Sequence, residues 1–244
     1  MIKPIIEELK TKKSPIEVFK AFAKEPYSFF LDSGMDPGKL GRFSFMGIEP
    51  FLRFTSKADE SFVNCQGWKK HFKGNPFYLL RDLLGRYKSD FKTKDFPFWG
   101  GAVGWFSYDL KDRLEKLPDR AIDDLRIPEI SLGFYDAVLI FDNLKKKAYI
   151  ASSGFPELGK KRKLRAKARL ESLKERLWMT NEKKLSHKRK RDLFRGGELK
   201  SNLTKEEYIK AVLKAKEYIK KGDIYQVNFS HGFQTQFTGN PFQL

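Results

Sequence analysis

The chain has 244 residues, 15% of them aromatic, with one cysteine and a net charge of +18. That length and apolar content leave room for one large cored domain or two small ones, and exclude disorder as the default. Cys65 alone excludes an internal disulfide framework, and His71, His187 and His231 lie too far apart in sequence for an ordinary Cys/His metal site.

From the start of the chain there is no apolar run long enough for a signal peptide or a membrane span, so the reading is a soluble, cytoplasmic protein. Ser14-Pro15-Ile16-Glu17 has the form of a helix start, with a capping hydroxyl, a first-turn proline and a returning carboxylate, and predicts a helix to about Ala23. Residues 27–32 read as a strand ended by the turn-rich residues 34–38. Further short strands follow at residues 43–48, 51–56 and 61–66, punctuated by Glu49-Pro50 and by polar turns. Residues 76–87 predict a helix with Phe77, Leu80, Leu83 and Leu84 on one side. The glycine-rich stretch at residues 96–110 lacks both the Gly-Lys-Ser/Thr of a phosphate loop and the spacing of a dinucleotide fingerprint. Its glycines instead suit close approach between strands. Residues 132–141 and 148–152 flank a turn and predict a hairpin.

The basicity is local. Residues 160–195 hold 16 Lys/Arg against 4 Asp/Glu, a net of +12. A helix over residues 157–178 carries a narrow seam of Leu164, Leu170, Leu173 and Leu177, and residues 181–200 read as a polar linker. The chain is therefore divided into a body at 1–155, a basic connector at 156–202 and a further unit at 203–244. The connector's charge has two explanations. A nucleic-acid-binding protein would use Lys188-Arg189-Lys190-Arg191 on phosphates, but no recognised nucleic-acid fold accompanies it. A solvated insertion in a metabolic enzyme is preferred.

The last stretch has the strongest pattern. Thr204-Lys205-Glu206-Glu207 predicts a capped helix with an apolar face at Tyr208, Ile209, Val212, Ala215 and Ile219, stopped at Gly222. A strand is predicted over residues 225–237, with Tyr225, Val227, Phe229, Phe233 and Phe237 apolar at odd positions, interrupted by His231 and Thr235, and Gln226, Asn228, Ser230, Gly232, Gln234 and Gln236 opposite. From Ile224 to Leu244 there is no charged residue. Such a polar but uncharged face suits a wall covered by protein or by a polar small molecule, or simply a buried strand with satisfied amides.

Lys221-Gly222-Asp223-Ile224-Tyr225-Gln226-Val227-Asn228-Phe229-Ser230 resembles the helix-to-strand signature of the chorismate-binding enzymes, which include component I of anthranilate synthase and of aminodeoxychorismate synthase. The Tyr-Gln-Val-Asn form is nearer the aminodeoxychorismate (para-aminobenzoate) branch. Phe30-Leu31-Asp32-Ser33 with Gly41-Arg42-Phe43-Ser44-Phe45-Met46-Gly47, and the run from Gly100 to Leu110, are similar to two further stretches of that family, in the same order.

The resemblance implies an α+β fold of antiparallel sheets with helices on the outside. It also implies amination of chorismate, Mg2+ on the chorismate carboxylate, and ammonia from a glutamine amidotransferase partner. Gln226 falls where water-using relatives carry an activating lysine, so it is the candidate catalytic residue; its alternative role is a backbone hydrogen bond at the base of a strand. Leu31, Asp32, Ser33, Arg42 and Ser44 match half of a tryptophan pocket, and Asp32 and Ser33 could equally just end a strand. The family's Mg2+-binding glutamates and catalytic histidine are expected beyond Leu244, so no metal ligand is assigned in this chain, and these 244 residues alone are expected to be inactive. A glutaminase-docking module without activity is a further alternative.

Overall fold

The computed structural model of the chain describes residues 3–33, 35–118, 123–182, 197–238 and 242, the side chains of 179–182 excepted. Two compact units result, residues 1–184 and 185–244.

The first unit is built on two five-stranded sheets in which every pairing is antiparallel. The first sheet contains β1 (Ile5–Leu9), β2 (Phe29–Leu31), β3 (Phe43–Gly47), β9 (Ala137–Asp142) and β10 (Lys147–Ser152), in the order β1-β10-β9-β3-β2. The second contains β4 (Leu52–Lys57), β5 (Glu60–Cys65), β6 (Trp68–Lys73), β7 (Gly101–Phe106) and β8 (Ile130–Tyr135), in the order β6-β5-β4-β8-β7. Helices are α1 (Pro15–Phe19), α2 (Pro76–Arg86) and α3 (Gly159–Glu182), with a 3-10 helix at Tyr108–Arg113. This is the α+β architecture the sequence implies.

Alternation explains the second sheet. Leu52, Phe54, Val63 and Cys65 point inward and are buried with Leu80 and Leu83 of α2, while the residues between them stay partly exposed. Both predicted helix starts are present: Ser14 and Glu17 form a reciprocal capping box, and Asn75 caps α2 through the Phe77 N–H. Helix α1 is shorter than predicted, ending at Phe19. Gly104 makes the close approach expected of it, since a Cβ there would collide with the Ser131 backbone.

The predicted strand at residues 132–141 is in fact two. β8 belongs to the second sheet and β9 to the first, and the chain turns from one to the other at Asp136. β9 then makes the expected hairpin with β10. Around this corner Tyr135, Val138, Ile140 and Ala151 form one core cluster, with Val103 and the aromatic residues Phe96, Phe98 and Trp99 packed on it. Asp136 is fully buried, and α3 is what makes that possible. Arg165 Nε donates to Asp136 Oδ2 at 3.0 Å and to the Phe155 carbonyl at 2.7 Å. Arg169 adds an ion pair to Oδ1 at 3.4 Å.

The preferred solvated reading of the basic segment is thus corrected over α3. Arg162 is buried and donates to the Ser153 carbonyl at 2.6 Å. Arg169 and Arg176 both bind Glu49, and Arg176 also reaches Glu25. Leu170, Leu173 and Leu177 are buried along with Ala166, but Leu164 is exposed and does not belong to the seam. The helix is therefore part of the first unit, which runs past residue 155 to Lys184. Residues 183–196, including Lys188-Arg189-Lys190-Arg191, lie outside the described residues.

In the second unit α4 (Lys205–Lys221) has both predicted ends: the Thr204–Glu207 capping box and a left-handed Gly222 at φ 79°. It buries no residue. The strand predicted over residues 225–237 is reduced to β12 (Phe233–Gln234), which pairs with β11 (Lys200–Ser201). Alternation alone does not make a strand, because a ladder needs a partner's N–H and C=O groups. Among the described residues only β11 offers them.

Candidate functional site

Four of the five predicted pocket residues meet at one corner of the first sheet, with Leu31 half-exposed beside them. β2 and β3 are antiparallel, with Leu31 opposite Phe45, so Asp32 and Ser33 leave β2 beside the point where Arg42 and Ser44 enter β3. Gly41 allows the approach, since a Cβ there would run into the Ser33 carbonyl oxygen and the Asp36 backbone. Ser44 is fully buried and forms the hub. Its hydroxyl donates to Asp32 Oδ1 at 2.8 Å and accepts from Asn143 Nδ2 at 2.9 Å and from the Ser33 N–H at 3.4 Å.

Arg42 is held from the other side. Its Nη2 donates to Asp142 Oδ2 at 2.8 Å and its Nε to both carboxylate oxygens at 3.2 Å. The Lys145 N–H also donates to Asp142, at 3.0 Å. Burial alone would raise the Asp142 carboxyl, but the Arg42 hydrogen bonds and the Lys145 N–H together hold it below its ordinary value. The Arg42 charge is therefore already answered, and its place is to fix the β3–β9 corner rather than to meet an anion with full charge.

Asp142 and Asn143 were not among the sequence candidates. They stand where the β9–β10 turn begins, and they sit about a hundred positions from the residues they bind, at |i−j| of 100 for Arg42 and 99 for Ser44. The Asp-Asn pair at a turn was visible, but its partner across the sheet was not. The finished corner offers an exposed Asp32 carboxylate, with one oxygen oriented by Ser44, next to Ser33. A carboxylate so placed suits a cationic group such as an ammonium.

Gln226 belongs to the second unit. It is exposed and follows the Gly222 stop of α4, on a segment without regular hydrogen-bonded structure, next to a Tyr225 that is 92% exposed. The neighbouring odd-numbered residues gather locally: Phe229 and His231 pack on Tyr208 of α4, with ring centroids 5.4 and 5.1 Å apart. The described residues include no group of three or more His, Cys, Asp or Glu able to hold a metal ion. The implied Mg2+ thus finds no donor set on them, and no chemical step is derived through it.

Residues 24–244 match the family of chorismate binding enzymes. The chain belongs to that family. It is 32% identical over 239 residues to anthranilate synthase component 1 of Acetivibrio thermocellus, covering 95% of this chain and 48% of that protein. It is 28% identical over 228 residues to aminodeoxychorismate synthase component 1 of Escherichia coli, covering 92% and 46%. The fold matches the crystal structure of anthranilate synthase component I from Streptococcus pneumoniae with a TM-score of 0.65 at 23% identity, over 83% of this chain and 43% of that one. The chain spans about half the length of these relatives. Both an anthranilate synthase and an aminodeoxychorismate synthase component therefore stand among the relatives of this chain. Among the described residues no helix is long and apolar enough to cross a membrane.

Proposed function

We propose that this chain forms the N-terminal part of a cytoplasmic aminodeoxychorismate synthase component I, which aminates chorismate to 4-amino-4-deoxychorismate with ammonia from a glutamine amidotransferase partner. The observation that carries the branch is the Tyr225-Gln226-Val227-Asn228 sequence directly after the α4 stop. A neutral amide at Gln226 can orient substrate or ammonia by hydrogen bonds. It has no proton to give at neutral pH and no charge to set against a departing hydroxyl. Expelling that group needs charge stabilisation from elsewhere, which we assign to the second half of a component I.

The Asp32–Ser33–Ser44 corner is a separate place in this reading. It holds the ammonium of an amino acid, for which tryptophan is proposed, and it has no part in the chemistry. Anthranilate synthase component I is the second reading, favoured by the 32% identity to the Acetivibrio thermocellus protein.

The test gives chorismate, ammonia and Mg2+ to the 244-residue chain, alone and joined to the second half of a component I, and reads products by mass spectrometry. The expected result is no product from the chain alone and an amine that keeps the enolpyruvyl group from the completed protein. Release of pyruvate with anthranilate decides for the second reading. Turnover by the chain alone would remove Gln226 from its assigned role.

A further inference from the structure

The outward side of the second sheet is open and carries unanswered positive charge. Directly opposed residues of an antiparallel ladder share a face. The register therefore aligns Arg53, Asn64 and Lys69 in one rung, and Ser131, Thr55, Phe62 and His71 in the next. These residues, with Tyr27, line a cleft of about 490 Å³.

Several arginines elsewhere in the unit are answered by acids, and Arg53 of the cleft is not. Arg42, Arg165, Arg169 and Arg176 all meet carboxylates. Among the described residues Arg53 and Lys69 form no ion pair; along the same face Glu60 lies 3.7 Å from His71, and Asp123 pairs with Lys57. The Arg53 guanidinium lies 4.4 Å from the centre of the Tyr27 ring, which props it in place. Phe62 is 49% exposed and stacks on His71 at 4.8 Å and 13°. The cleft thus has cations at one rung, a flat ring at the next, and the Thr55 and Ser131 hydroxyls beside that ring.

We propose that this cleft binds a small phosphorylated ligand with a flat ring, of the nucleoside phosphate class. The phosphates would meet Arg53 and Lys69, and the ring would lie against Phe62. A guanidinium presents paired donors to phosphate oxygens, and ring-on-ring contact is tolerant of the base. The volume falls in the usual small-molecule range of about 300–1,000 Å³. The site shares no residue with the Asp32 corner.

Isothermal titration of the full chain at ~0.15 M salt, with ATP, AMP, adenosine and inorganic phosphate as separate probes, tests it. ATP should bind at one site, more tightly than AMP, and AMP more tightly than adenosine. Arg53→Ala should weaken ATP about tenfold. Phe62→Ala should weaken ATP and adenosine several-fold and leave inorganic phosphate unchanged. If Phe62→Ala fails to fold, Phe62→Leu keeps the bulk and removes the flat face. A chain with Lys188, Arg189, Lys190 and Arg191 all changed to alanine should bind ATP as before.

Three results would overturn the proposal. One is ATP affinity that follows the 188–191 changes and ignores Arg53 and Phe62. Another is inorganic phosphate binding as tightly as ATP. The third is binding of a single-stranded oligonucleotide with none of ATP.

Discussion

The two units of this chain use the same local devices, yet only the first closes over its apolar residues. Ser14 and Thr204 make matching capping boxes, and both units contain runs of alternating apolar residues. In the first unit those runs end up at zero or near-zero exposure, as at Phe54, Ile140 and Ile150. In the second, Ile209, Leu213, Ile219, Val227 and Phe233 all remain exposed. The difference teaches that caps and periodicity specify an element, whereas burial is supplied by whatever lies opposite it. In the first unit that opposite surface is the other sheet, α2 or α3. The functional readings divide along the same line. The Asp32–Ser33–Ser44 corner is joined by hydrogen bonds within the first unit, while Gln226 stands exposed on a segment without regular structure.

The sharpest way to break the contrast is at Asp136. Removing this carboxylate leaves the part-buried Arg165 guanidinium without its counter-charge and Arg169 with Glu49 alone, and loss of one member of such a group costs at most about 3–5 kcal/mol. Asp136→Ala should therefore lower the melting temperature of the first unit strongly, or abolish its cooperative unfolding. The helicity of α4 should be unchanged. A melting temperature that hardly moves would show that α3 is held by its leucines alone.

Acid should weaken the first unit in a defined window. Asp142 and Glu49 sit below their ordinary values of 3.8 and 4.5, Asp142 through Arg42 and Glu49 through Arg169 and Arg176, each against the opposing effect of burial. Groups lowered in this way stabilise the fold above the unfolded-state value, and the contribution is lost as pH falls through the folded one. Asp136 runs the other way: burial raises its carboxyl despite Arg169 and Arg165, so its contribution grows toward acid. Glu17, through its bonds with Ser14, and Asp123, through Lys57, are lowered as well, so with four groups against one stability should fall as pH drops below about 4.5. Asp142→Asn should flatten that fall. A pH profile identical to that of the unchanged chain would remove the Arg42–Asp142 pair from the account.

A smaller effect sharpens the functional side of the comparison. If the corner holds an amino acid, Ser33→Ala should weaken tryptophan binding by about 1 kcal/mol, the value of one hydrogen bond, and leave the melting temperature in place. Equal affinity in the variant would take Ser33 out of the site.

Much of this fold is legible locally. The helix starts at Ser14, Pro76 and Thr204, the β9–β10 hairpin and the meeting of Asp32 with Ser44 all follow from short-range signals or from the resemblance. What was not legible depends on partners far along the chain. The break at Asp136 is hidden because β8 and β9 are both buried on nearly every position, so a single polar residue is all that interrupts the apolar run at the corner. The role of Arg165 is hidden because its acceptor is 29 positions away, and that of Arg42 because Asp142 is 100 away. Lysine-rich β6 was missed because, as an edge strand, it has little apolar alternation to show. Residues 225–237 failed in the opposite sense, with a strong strand pattern and a strand formed at Phe233–Gln234 alone.

Native-state hydrogen exchange tests that division most directly, because amide protection reports local opening free energy element by element. Amides of β8, β9 and β10 should exchange only with global unfolding. Those of α4 and residues 225–237 should exchange much faster, and Thr204→Ala, which removes a cap worth about 1 kcal/mol, should speed α4 further and leave the sheets unaffected. Equal protection in α4 and in β9 would contradict the account, because it would mean that the second unit is as closed as the first.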